Sequence, residues 1–193
     1  MSIPDSRFVP LSADMLETVR VWRNSPRIRS NMLNDQPISA DQQQAWFASL
    51  QGDSSRLYLV FHQQNRPIGM LYFSDIGERR CSWGCYIGVE AVWPGSGLLL
   101  EVAALDFAFS QLGMDCLHAA VLEFNKAPQR MHKAFAYRLV NRQADALWRD
   151  GKHHALLHYE YLRDEWRDNR ERVLTQLPRQ IGEAVALMTY SDG

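Results

Sequence analysis

Long hydrophobic runs are missing from this chain of 193 residues. Its apolar stretches fall short of the ~20 residues a bilayer-spanning helix needs. Met1 to Pro10 contains no apolar segment like that of a secretory signal peptide. These absences predict a cytoplasmic protein without a membrane partner. An excess of one charge is missing too. Lys and Arg total 21 against 22 Asp and Glu, a net charge of -1, which excludes broad electrostatic attraction to nucleic acid. Cysteine is scarce and odd in number (Cys81, Cys85, Cys116). A disulfide framework is therefore not expected, and Cys81-x3-Cys85 lacks the second ligand pair of a zinc site. The three read as reduced, buried thiols. Six histidines are scattered without a His-Glu-x-x-His pattern, so no metal is expected. Repeats, linkers and low-complexity tracts do not occur.

What is present is ordinary globular composition, with 46% apolar and 22% charged residues. A chain of this length buries about 70% of its unfolded surface, enough for a full core. Arg7–Leu11 reads as a short strand. Ser12 can cap a helix from Ala13 to Arg23, and Pro26 interrupts it before a second short helix over Ile28–Leu33. Ser39 and Gln42 have the spacing of a capping box, opening a helix with Ala45, Trp46 and Leu50. Then the texture alternates. Leu57–Phe61, Pro67–Ile76 and Cys81–Gly88 form an antiparallel meander. A loop containing Pro94, Gly95 and Gly97 leads into an apolar helix, Leu98–Leu112, stopped by Gly113. Strand Cys116–Phe124, short helix Ala127–Phe135 and strand Tyr137–Leu147 follow. Asp150-Gly151 is a hairpin signal, returning along His154–Leu162 before a charged helix, Arg163–Leu177. Pro178–Gly193 carries no readable pattern. The order predicts an α+β fold, an α/β/α arrangement around a mixed, mostly antiparallel twisted sheet with helices on both faces.

Two features carry chemistry. In Trp93-Pro-Gly-Ser-Gly97 a strand, a glycine-rich loop and a helix follow one another. Glycines let the backbone approach an anion, and free amides at a helix start suit phosphate. The loop is not a Walker motif, because no Gly-Lys-Ser/Thr follows. The second feature is Asn125, closing a strand ahead of Arg130, His132 and Lys133. His132 lies about two helical turns beyond Asn125, so both can face one side. An imidazole suits proton transfer near neutral pH.

Meander, Gly-x-Gly loop, helix, strand, Asn, short helix and hairpin together resemble the GCN5-related N-acetyltransferases (GNAT) over residues 7–166. This implies an acetyltransferase domain over 1–166 and a C-terminal helical extension over 167–193. It also implies a splay between the fourth and fifth core strands; counted from the meander, these are Cys116–Phe124 and Tyr137–Leu147. The resemblance implies acetyl-CoA as cosubstrate. Its pyrophosphate would lie on the amides of Gly95, Ser96, Gly97 and Leu98, with Asn125 on the pantetheine arm and Arg130 and Lys133 nearby. A strand amide between Ile87 and Val89 would polarise the thioester carbonyl. His132 stands where the family usually has Tyr, and would protonate the departing thiolate. Glu123 is the neighbouring carboxylate in sequence and a candidate base.

Trp22-Arg-Asn-Ser-Pro26, Asp53-Ser-Ser-Arg56, Pro67-Ile-Gly69, Ser82-Trp-Gly84, Tyr86-Ile-Gly88, Ala104-Leu-Asp106, Val121-Leu-Glu-Phe-Asn125 and His132-Lys133 are similar to one group within the family. That group acetylates the 4-amine of UDP-4-amino-4,6-dideoxy-N-acetyl-β-L-altrosamine in pseudaminic acid biosynthesis, a route to flagellin glycosylation. Arg23 and Arg29, with Asn24, would then meet the diphosphate. Gln43 takes the place of a family His, and Trp46 and Tyr86 would cover sugar or base. A ribosomal-protein or protein N-terminal acetyltransferase of the same fold would need an acidic peptide groove, whereas the N-terminal helices carry Arg20, Arg23, Arg27 and Arg29. A non-catalytic acyl-CoA-binding module is the other alternative. The expected protein is a monomer or homodimer.

Overall fold

The computed structural model describes residues 2–191. In it the chain builds one eight-stranded sheet: β1 (Ser6–Pro10), β2 (Leu57–Gln63), β3 (Arg66–Gly77), β4 (Arg80–Ile87), β5 (Cys116–Leu122), β6 (Arg138–Arg149), β7 (Lys152–Leu162) and β8 (Thr189–Tyr190). The spatial order is β6-β7-β5-β4-β3-β2-β1-β8. Among the described residues, only β4·β5 and β1·β8 pair in parallel. Tight turns explain the meander and hairpin. Gln64-Asn65, Glu78-Arg79 and Asp150-Gly151 all hold both central residues at positive φ, the twist that suits two-residue hairpins.

Alternation along β2 and β3 separates two apolar layers. Leu59, Phe61, Leu71 and Phe73 face a large core with α4 (Ser96–Asp106), α6 (Arg163–Gln176) and α7 (Arg179–Ala186). Val60 and Met70 face the other way, onto Val19 and Trp22 of α1 (Leu16–Asn24) and Ile28 of α2 (Pro26–Arg29). α3 (Ala40–Ala48) lies beside α1 and opens with the expected capping box, Ser39 with Gln42. α4 is buried nearly all round, and so its sequence is apolar nearly all round. α5 (Lys126–Ala134) follows β5. None of the described helices is long and apolar enough to cross a membrane.

Several boundaries move for physical reasons. Pro26 starts α2 rather than separating it, as a first-turn proline can. Residues 30–38 form an irregular segment instead of the helix expected through Leu33. The apolar helix begins two residues early, at Ser96. After Asp106 it continues through Phe107–Gln111 as a π-helical turn, and Gly113 ends it at φ +67. The stretch after Pro178 forms α7 and β8. Tyr190 of β8 stacks on Phe8 and tilts onto Phe107.

The splay is present between the fourth and fifth strands when the count starts at β1. The assignment to Cys116–Phe124 and Tyr137–Leu147 is corrected by one strand. β4 pairs with β5 only through Arg80–Ser82 and Cys116–His118. Beyond that, β4 stays with β3 as far as Ile87↔Gly69, and β5 stays with β7 as far as Leu122↔Leu156. Each strand keeps its outer partner, so the twisted sheet opens between them.

Candidate active site

The splay holds a cleft of about 420 Å³. Register shows which backbone groups face it. Gly88 N–H donates to Ile68 O, so Tyr86 and Gly84 also point at β3, while Cys85 and Ile87 point into the opening. Glu123 N–H donates to Ala155 O, which by the same alternation turns Ala120 and Leu122 into it from the other side. The cleft is thus edged by peptide groups without a sheet partner; Ile87 O is taken up by Arg27 and Leu122 O by Asn125 N–H and Gln129, which leaves the N–H groups of Ile87 and Leu122 and the peptides of Cys85 and Ala120. This is a place for a thin amide-bearing chain.

At one end lies the glycine loop. Gly95 has φ +122. Ser96 N–H bonds Trp93 O and Leu99 N–H bonds Gly95 O, which leaves the first-turn amides of Gly97 and Leu98 for an anion. A Cβ on Gly97 would meet only Met131 Cε, at 3.8 Å, so this position opens on the cleft. Ser96 differs from expectation. Its hydroxyl is buried between two acceptors, Gln63 Oε1 at 2.9 Å and Trp93 O at 2.8 Å, which share its one hydrogen. Its hydroxyl anchors the loop to β2.

One helical turn along α4 from Gly97, Glu101 meets His132, which is 3% exposed, with Nδ1 3.0 Å from Glu101 Oε1. Rings of Tyr137, Tyr159 and Trp83 surround it at 4.5, 5.0 and 5.9 Å between centroids. His132, Glu101, Asn125, Ile87 and Gly97 all line the cleft. Asn125 makes no side-chain cap bond to α5. Burial pushes the Cys85 thiol and the Tyr137 hydroxyl up, and Glu101 adds to both.

Not every expected residue gathers here. Glu123 accepts from Ala155 N–H at 2.9 Å and from Arg142 at 2.8 Å. These bonds hold its carboxyl below the usual range. It lies outside the cleft lining, spent on β7 and β6. Arg130 and Lys133 line a separate surface groove with Lys126, Tyr137 and Tyr159. Val89 packs against the core instead.

A second cavity, about 460 Å³, adjoins the first across Met32, Tyr72 and Tyr86. Arg23, Gln43, Trp46 and Tyr86 line it as expected, joined by Tyr58 and Tyr72. Trp46 meets Tyr58 edge-on at 4.8 Å. Burial pushes the Arg23 guanidinium down, opposed by the Tyr86 and Tyr72 hydroxyls; burial lifts Tyr72 to about 12. None of the lining residues is Asp or Glu. Arg29 and Asn24 do not reach it. Asn24 instead clips Ile38, donating to its O and accepting from its N–H, both at 2.8 Å.

Three residues of this region were not legible in the sequence. Glu101 is a charge inside an apolar helix, which is its one visible signal. Arg27 lines the cleft and donates to Ile87 O at 3.0 Å. Arg149, at the end of β6, donates to Ser30 O and Met32 O at 2.8 Å and pairs with Asp35 at 3.1 Å. It fastens the irregular segment that roofs both cavities.

The family pattern for an acetyltransferase (GNAT) domain matches residues 7–138, more than half of the chain. An acetyltransferase named PseH from Campylobacter jejuni serotype O:23/36 is 24% identical over 138 residues, covering 72% of this chain and 86% of that protein. In fold, the chain is similar to a Vibrio cholerae spermidine N-acetyltransferase solved with CoA and spermine, at TM-score 0.78 and 16% identity, covering 84% of this chain and 98% of that one. An N-acetyltransferase from Staphylococcus aureus Mu50 superposes at TM-score 0.69 and 17% identity, covering 81% and 98%.

Proposed function

We propose that this chain, which belongs to the GNAT family of N-acetyltransferases, moves acetyl from acetyl-CoA to the 4-amine of a UDP-linked 4-amino-4,6-dideoxy sugar. The sugar is of the kind used in pseudaminic acid biosynthesis. The pyrophosphate of the coenzyme rests on the amides of Gly97 and Leu98, and pantetheine runs between β4 and β5. Its amides meet the peptide groups of Cys85 and Ala120 and the Leu122 N–H, with Asn125 beside them. The thioester then lies near Ile87, whose N–H polarises the carbonyl. His132 gives the departing sulfur its proton. The acceptor fills the second cavity, with its diphosphate on Arg23 and its rings against Trp46 and Tyr86.

The observation that carries this reading is the charge of the acceptor cavity, which has Arg23 and no carboxylate in its lining. A polyamine would place cations against a cation. A nucleoside diphosphate suits the Arg fork, whose planar donors match phosphate oxygens. The PseH-named relatives support the same choice. The test is CoA release measured with the UDP-amino sugar, with spermidine and with an N-terminal peptide. Turnover on the sugar at least tenfold above the other two is expected. Faster turnover of spermidine would overturn the assignment.

A further inference from the structure

We propose that His132 and Glu101 form one proton shuttle, in which the ring takes the proton of the attacking amine and returns it to the departing sulfur. This rests on the transferase reading above and deepens it. The two side chains are 4% and 5% exposed and 3.0 Å apart. A carboxylate accepts, so the hydrogen sits on Nδ1 and Nε2 is the nitrogen left for chemistry. The cleft, with Ile87 and Asn125, is where that nitrogen can meet substrate. Tyr137, Tyr159 and Trp83 pack around the ring and stop it turning.

The titratable groups facing the ring are Glu101 from α4, Tyr137 just before β6 and Tyr159 from β7, with Cys85 of β4 near Glu101. Burial raises Cys85, Tyr137 and Tyr159, so these three stay neutral at pH 7. The carboxylate of Glu101 is the group that steadies a positive charge on the ring.

The proton count closes on the ring alone. The amine nitrogen attacks the thioester carbon, and the C–N bond forms. Nε2 takes the proton from that nitrogen while Glu101 holds Nδ1–H. The C–S bond breaks and the same proton passes from Nε2 to sulfur, giving the amide and the CoA thiol. No proton enters or leaves, so no separate base is required. This fits an acceptor cavity without carboxylates and a Glu123 engaged by Ala155 and Arg142. It also reverses the pH sign of a simple thiolate acid. A shuttle must start neutral, so turnover is lost as pH falls; a pure acid must start protonated, so turnover is lost as pH rises.

Saturating turnover is measured against pH with acetyl-CoA and the UDP-4-amino sugar, for wild type, Glu101→Gln, His132→Phe and the double variant. Wild type should show an acid limb that His132→Phe lacks. Glu101→Gln should lower kcat at least tenfold, with KM for acetyl-CoA within twofold. In the His132→Phe background the Gln change should cost less than twofold, because Glu101 acts through the ring. An alkaline limb in its place, or an undiminished Gln effect without His132, overturns the shuttle. Nitrogen NMR of the His132 ring in the CoA complex supplies a readout that needs no acceptor. A neutral Nδ1–H ring at the pH of maximal activity supports the proposal, and an Nε2–H ring refutes it. Silence toward the sugar with the Nδ1–H ring intact would instead refute the choice of substrate.

Discussion

Gly95 and Gly97 sit two residues apart and should fail in opposite ways. Gly95 has φ +122, and a Cβ there would meet Ile181 Cδ1 at 2.4 Å and Trp93 Cζ3 at 2.7 Å. Alanine is strained at that φ by about 1–3 kcal/mol before any clash is counted. Each kcal/mol moves Tm by about 2–4 °C in a domain of this size. Gly95→Ala should therefore lower Tm by several degrees. Gly97 lies inside the first turn of α4 with no φ constraint, and a Cβ there meets only Met131 Cε at 3.8 Å. Replacing Gly by Ala inside a helix favours the fold by about 0.5–1 kcal/mol. Gly97→Val gains less, because its branched side chain is stiff, but it should not unfold the protein. The valine methyls would occupy the space over the Gly97 and Leu98 amides that the pyrophosphate needs. Loss of one good anion contact, about 1.4 kcal/mol or more, corresponds to at least a tenfold weaker affinity. Calorimetry should give a CoA dissociation constant raised at least tenfold for Gly97→Val, with Tm held within about 2 °C, less than one kcal/mol on that scale. An unchanged affinity in the folded valine variant would refute the placement of the pyrophosphate. An unchanged Tm in Gly95→Ala would refute the reading of the loop.

Arg23→Ala should weaken UDP-sugar binding by about 1.5–3 kcal/mol, the range for a hydrogen bond to a charged group, while CoA binding stays put; titration calorimetry separates the two. Arg29→Ala, on the same helices but outside both cavities, should leave both affinities within twofold. Arg149→Lys removes the fork that holds Ser30, Met32 and Asp35. It should raise KM for the acceptor several-fold, and an unchanged KM would show that the roof holds itself. Asp106 accepts from Trp166 Nε1 at 2.8 Å and from both forks of Arg170 at 2.8 and 2.7 Å. Asp106→Ala orphans the buried indole and should cost about 1–3 kcal/mol in urea unfolding.

Much of the fold was legible because its signals are local. Ser39 and Gln42 lie three apart and cap a helix; Asp150-Gly151 carries both positive φ angles of its turn. The Gly95 turn and the helix start that follows it were readable, and Arg23, Gln43, Trp46 and Tyr86 do share one cavity. What escaped was set by contacts distant in sequence. Glu101 has a partner only because α5 brings His132 beside it, thirty-one residues later in the chain. Glu123 looked available because it neighbours Asn125 in sequence, yet β7 and β6 claim its carboxylate. α7 has eight residues and β8 two, too few for either periodicity to show. The strand is defined by a parallel partner at the far end of the sequence.

That last pairing has a consequence for how the enzyme comes into being. Ile181 of α7 lies against Gly95, and Tyr190 rests on Phe8 beside the π-helical turn of the same apolar helix. A nascent chain leaving the ribosome has released His132, Glu101 and the whole meander well before Ile181 emerges. Until then it holds His132 and Glu101 but lacks the side chain that packs against the Gly95 turn. Vectorial synthesis thus supplies the support of the glycine turn last, since Ile181 is translated after every strand that borders the cleft.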